Sequence, residues 1–320
     1  MKKTLTIGIF LFLMFCILTN SAQSLKFAAN GLQLWLDKMV PALLPFMILS
    51  GTLIRTGLTE GFTTLVYPVV KPVFRVRPNV CYVMLMGFMC GFPMGAKCVG
   101  DMYLHGKLTK REAEYLLAFC NNIGPVYFVS FVLPLIGCSS PAYYLFGMYG
   151  LPLLYGLVLR YTVYADLSAP SDLSDHANTN FHQSKQKKTD PIANEQASPV
   201  QPLLPALDES IRGSVQSMLM LGGYMILFDL LMLIPYLYWR SAYPYLAPFL
   251  EITGGLAVLG ADMPIYSLVL LPFGGLSCLA QTYSCIKDTG LSLADHVCHK
   301  TVLTAGTVCY YLLLRLLRLL

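Results

Sequence analysis

Charge is what this sequence has least of. Only 12% of its 320 residues are charged, while 56% are hydrophobic. Soluble domains carry roughly a quarter charged residues, so an ordinary water-soluble domain is excluded. The net charge of +5 forms no basic block. That removes nucleic acid as a partner and fits the basic cytoplasmic loops of a membrane protein. No C-x-x-C pair occurs, and the ten cysteines lie almost all in apolar runs, as small buried hydrophobes do. Cys298 has His296 and His299 beside it, but no second cysteine completes a metal set. Ser/His/Asp sets, H-E-x-x-H and phosphate loops are missing too. The sequence gives no reason to expect an enzyme, a cofactor or a metal.

What is present is apolar length. Met1-Lys2-Lys3 precedes an apolar run at 4–22 that fits either an uncleaved first span or a signal peptide ending near Ser21-Ala22-Gln23. Domain 1–24 is read as this anchor, starting in the cytoplasm. Residues 25–40 carry a helical stripe (Leu32, Trp35, Leu36, Met39, Val40) and are expected as an interfacial entry helix before a span at 41–56. The Pro-broken 58–78 stretch ends in Lys71, Arg75 and Arg77, which places it in the cytoplasm.

The block 79–104 is basic at both ends, with Lys107, Lys110 and Arg111 following it. One span cannot put both ends on one side. A re-entrant hairpin turning at Gly91-Phe92-Pro93-Met94-Gly95 can, because each arm reaches only ~15–18 Å. Such backbone is tolerated where protein buries it or a wet cavity lines it. A T-x-x-E cap, Thr109 to Glu112, starts the next helix, and Asn121-Asn122-Ile123-Gly124-Pro125 breaks it in mid-membrane. A further span is expected at 142–164. Residues 167–204 are polar and read as a disordered linker, cytoplasmic through Lys185, Lys187 and Lys188.

The pattern then returns. An amphipathic helix at 206–219 leads into Tyr224-Met225-Ile226-Leu227, which answers Phe46-Met47-Ile48-Leu49. Gly275, Ala280, Gln281 and Gly290 answer Gly91, Ala96, Lys97 and Gly106, and a Ser292 cap answers Thr109. The expected fold is therefore an all-α polytopic membrane protein of two inverted-topology repeats. Each has an amphipathic entry helix, a re-entrant helical hairpin and a discontinuous or capped transmembrane helix. The first repeat is 25–165 (hairpin 79–104, broken helix 109–138) and the linker is 166–205. The second is 206–320, with its hairpin at 264–286 and a last span at 296–316 ending in the cytoplasm at Arg315 and Arg318. Inverted repeats of this kind are the layout of secondary transporters.

Lys97 is the sharpest candidate, since a charge at that depth costs ~2.5–3.5 kcal/mol on insertion scales. It faces either an anionic substrate or Asp101, one turn on. Asn121 and Asn122 fit solute contact or helix capping. Ser277 and Gln281 fit substrate or interhelical bonds. Gly91 and Gly95 shape the turn. Asp229 either pairs with Arg240 or receives a proton.

Residues 91–125, GFPMGAKCVGDMYLHGKLTKREAEYLLAFCNNIGP, closely resemble the signature of the YlbJ-type sporulation integral membrane proteins. That family carries a G-F-P-x-G-A-K hairpin, a G-x-[IL]-[ST]-K-x-E-A helix start and an F-C-N-N-x-x-P break. It lies within the wider nucleoside-recognition Gate group, which is similar in architecture to concentrative nucleoside transporters. The likeness is specific in the first repeat and loose in the second. It implies transport of a small anionic solute, dipicolinate, across the mother-cell membrane around the forespore. It also implies that Gly91, Phe92, Pro93, Gly95 and Lys97, with Asn121 and Asn122, hold that substrate. The relatives' acidic hairpin residue for nucleosides is absent. A non-transporting scaffold in spore-envelope assembly and a nucleoside or base carrier are the alternatives. A coupling ion (H+ or Na+) and a homo-oligomer are left open, and the bilayer is the surrounding partner.

Overall fold

The computed structural model describes residues 2–137, 141–167, 201–260 and 263–318, and these form helices without strands. The linker positions from 168 to 200, with Lys185, Lys187 and Lys188, lie outside the described residues. In chain order the main helices are α1 (Lys2–Thr19), α2 (Ser21–Arg55), α3 (Tyr67–Phe74), α4 (Pro78–Cys90), α5 (Met94–Leu104), α6 (Lys110–Phe119) and α7 (Pro125–Leu135). They continue with α8 (Pro141–Tyr161), α9 (Leu203–Tyr238), α10 (Tyr243–Leu250), α11 (Ile252–Leu259), α12 (Pro264–Leu270), α13 (Gly275–Ile286) and α14 (Leu293–Leu316). Among the described residues, five stretches are long and apolar enough to cross a membrane: α2, α8, α9, Pro264–Ile286 and α14. This is an integral membrane protein.

The entry helix expected at 25–40 is not separate. It runs on through α2, with a wider π turn at Trp35–Met39 just ahead of Pro41. The same pairing recurs at Phe128–Val132 before Pro134 and at Phe146–Gly150 before Pro152. Proline's ring clashes with the carbonyl four residues back, and a wider turn makes room for it. The helix therefore continues where a proline would otherwise break it.

Side-chain contacts fix which helix ends share a face. Asn79 Nδ2 donates to Lys107 O at 3.3 Å, so the start of α4 meets the end of α5. Arg77 bonds Glu112 at 2.7 Å, Lys107 reaches Ile54 O, and Arg160 donates to Phe74 O and Leu167 O at 2.8 and 2.9 Å. Gln201 N donates to Arg55 O at 3.1 Å. One face thus gathers Arg55, Arg75, Arg77, Lys107, Arg111 and Arg160, which the positive-inside rule makes cytoplasmic. The 78–104 block leaves this face and returns to it, as the hairpin reading requires.

The second half departs from expectation. The stretch 264–286 is not a hairpin, because α12 and α13 lie end to end across the bundle. Leu268 and Leu271 pack with Phe128, Ile136 and Tyr311, while Gly100 abuts Cys285 O near the other end. The fold-back lies earlier, at Tyr243–Leu259. There α11 returns along α10 so closely that a Cβ at Gly255 would stand 2.1 Å from Pro248 N. The turn is at Glu251. The stretch 264–286 is instead a crossing helix broken at Leu271–Gly274, where Gly274 and Gly275 both take positive φ (+79° and +78°).

The last helix is also reassigned. Tyr310 and Tyr311 donate to Tyr143 O and Tyr144 O, while His299 meets Tyr155 at the other end, so α14 runs antiparallel to α8. It starts on the basic face and ends opposite it, so Arg315 and Arg318 do not share the face of Arg55, Arg77 and Arg160. The Gly290–Asp295 likeness to Gly106–Glu112 is local: both are capped helix starts on the same face.

Candidate functional site

Two helix breaks and two hairpin turns meet inside the bundle. The first turn, Gly91-Phe92-Pro93, presses against the first break. A Cβ at Gly91 (φ +88°) would stand 2.3 Å from Gly124 N. The second turn presses against the second break, where a Cβ at Gly275 would stand 3.1 Å from Pro248 O. Phe92 reaches across to Gly274, so the two assemblies touch.

The first break is held by side chains. Asn121 Oδ1 accepts from Ala96 N at 3.3 Å, capping the short re-entrant helix α5, whose first N–H groups lack intrahelical partners. Asn121 Nδ2 donates to Thr282 Oγ1 at 2.9 Å, and Asn122 Nδ2 donates to Phe119 O. Lys300, fully buried on α14, donates to Asn121 O and, at 3.2 Å, to Asn122 Oδ1. Its ammonium also sits 4.6 Å from the Phe92 ring centroid, a cation–π distance.

Two cavities flank this centre. One, about 220 Å³, lies among α2, α7 and the second turn, with Lys38, Phe92, Tyr127, Glu251 and Gln281 on its walls. The other, about 250 Å³, runs along α5 from Pro93 to Leu104, beside the middle of α9 and the end of α13. Lys97, Asp101, Tyr224, Gln281 and Lys287 line it. Gln281 and Leu221 belong to both walls. Gln281 is fixed by donating to Ser277 Oγ at 3.0 Å.

The expected site residues therefore divide. Phe92, Pro93, Lys97 and Gln281 line cavities. Gly91 and Gly95 allow close backbone approach, Ser277 orients Gln281, and the bonds of Asn121 and Asn122 go to protein groups. Lys97 pairs with Asp101 at 3.1 Å, both partly accessible. Asp229 does not meet Arg240. It accepts from Asn30 at 3.3 Å, while Arg240 lies over the Tyr236 ring. Lys300 and Glu251 were missed from sequence. The available signals were a lone lysine in an apolar last span and an acid three residues before a glycine, positioned to cap α11.

Residues 36–139 match the Gate family, described as nucleoside recognition. The match spans most of α2, the first hairpin and the first broken helix. Over 230 residues the chain is 27% identical to the sporulation integral membrane protein YlbJ of Bacillus subtilis (strain 168), an alignment covering 69% of this chain and 53% of that protein. The chain thus spans about half the length of the curated relative it matches. No solved structure matches. The resemblance carried by residues 91–125 is borne out.

Proposed function

We propose that this chain is a carrier that moves a small polar or anionic solute through the membrane, between the two cavities. The observation that carries the reading is the correspondence of their walls. One cavity lies between the first hairpin's second arm, the second broken helix and entry helix α9. The other lies between the second hairpin's turn, the first broken helix and entry helix α2. The entry helices run antiparallel: Asn30 meets Asp229, Trp35 meets Met218 and Arg55 meets Glu209. This supports two inverted repeats, with the second hairpin at 243–259. Exchanging the repeats exchanges the cavities, as alternating access around a fixed centre requires.

The candidate solute is dipicolinate, as the resemblance of residues 91–125 implies, with the mother-cell membrane around the forespore as the place of action. Lys97 supports an anion, provided it exchanges Asp101 for a substrate carboxylate. The Gate description supports a nucleoside instead. Uptake of labelled dipicolinate and of labelled uridine into vesicles holding the purified chain tests the proposal. Saturable uptake of either above empty vesicles is expected, and uptake of neither overturns it in favour of a scaffold.

A further inference from the structure

Asp229 is fully buried, and its Oδ1 has no hydrogen-bond partner among the described residues. Its other oxygen accepts from Asn30. Two backbones close around the carboxyl: a Cβ at Gly254 would stand 2.4 Å from Oδ1 and one at Gly31 2.8 Å from Oδ2. Glu251 lies at the neighbouring hairpin turn, also buried, and accepts from Gly254 N at 2.6 Å as the cap of α11. The two acids interact through space.

Their surroundings differ. Glu251 receives backbone N–H donors at a helix start, which favour a carboxylate. Asp229 has one amide donor, and no ion pair among the described residues reaches either acid. The titratable groups facing Asp229 are Glu251 from α11 and Tyr243 from α10. Tyr127 and Cys278 face Glu251, and Lys38 shares its cavity. An unpaired carboxylate so enclosed is far costlier than the neutral acid.

We propose that Asp229 and Glu251 form a proton-binding site at the turn of the second hairpin, with Asp229 holding the proton and Glu251 connecting it to the cavity that it lines. Resting on the carrier reading, this makes the proton the coupling ion. A proton taken up there cancels a negative charge on the path of an anionic solute. Sodium is disfavoured by geometry, because the free oxygen faces a backbone in contact rather than a coordination space.

Infrared spectroscopy of the whole chain in vesicles tests this. A protonated-carboxyl band at neutral pH is expected. It should be absent from Asp229→Asn, retained in Glu251→Gln, and the same in sodium chloride and choline chloride. No such band in the wild type, or one that sodium removes, overturns the proposal. Should Asp229→Asn not fold, Asp229→Glu supplies the check by moving the band rather than deleting it; an unmoved band overturns the assignment. With either solute probe, uptake should rise under an inward proton gradient. Uptake that ignores the gradient overturns the coupling, whereas no uptake at all with the band present overturns the carrier reading only.

Discussion

The ammonium of Lys300 on the last helix donates to the side-chain oxygen of Asn122, 3.2 Å away, at the break of the first crossing helix. Its other partner is the carbonyl of Asn121. A buried cation thus satisfies the acceptors that the break leaves open, and its ring contact with Phe92 ties the first hairpin's turn to the same point. Three segments distant in sequence share one charge.

Replacing Lys300 with Met should therefore loosen the centre rather than stop synthesis. Two buried acceptors lose their donor, each at a cost of about 1–3 kcal/mol. The thermal midpoint of the purified protein should drop clearly, and the cysteine of a Phe92→Cys reporter should become more reactive. An unchanged midpoint would count against the role given to Lys300.

Gly91 should not tolerate a side chain. Gly91→Ala forces a Cβ onto the backbone of Gly124 at positive φ, and overpacking of this kind costs about 1–3 kcal/mol. Gly223→Ala is the control, in an exposed helical position with nothing within 4 Å. It should be neutral or stabilising by up to about 1 kcal/mol. Thermal unfolding of the two variants should separate them.

Lys97→Met should leave the protein in the membrane, because Asp101 keeps some water access. A charge-assisted bond is worth about 1.5–3 kcal/mol, so anion affinity should fall roughly 10- to 150-fold. The double change with Asp101→Asn should not restore transport. Full uptake by the double variant would assign Lys97 to the ion pair alone.

The far end of the last helix can be placed by fusion, with the end of the first hairpin as the reference. A periplasmic phosphatase attached after Leu320 should be active, and one inserted after His105 inactive. Activity at both or neither would undo the placement of α14.

Some of this was legible in the sequence and some was not, for physical reasons. The first hairpin could be read because proline and glycine mark its turn and basic residues flank both ends. The second hairpin turns at Glu251 without such a pair, and its arms of eight residues have a basic flank at one end, Arg240, and none at the other. Phe273-Gly274-Gly275 looked like the equivalent turn, yet two positive-φ glycines break a crossing helix equally well. That shift of register also reverses the expected end of the last helix, which packs antiparallel to α8. The asparagines mark a break, and helix stops at Phe119 and resumes at Pro125, but a sequence cannot say whether an amide turns to a cavity or to Ala96 N, since that depends on which helix lies opposite.

The central claim is that the two cavities open to opposite sides of the membrane through one closed centre. The direct measurement is labelling by a membrane-impermeant thiol reagent in a cysteine-free background, applied separately from each side. Ser284→Cys lines the cavity along the first hairpin and Ala42→Cys replaces a residue of the walls beside the second. Ser284→Cys should react only from the cytoplasmic side and Ala42→Cys only from the other. Reaction of both from the same side would contradict the account.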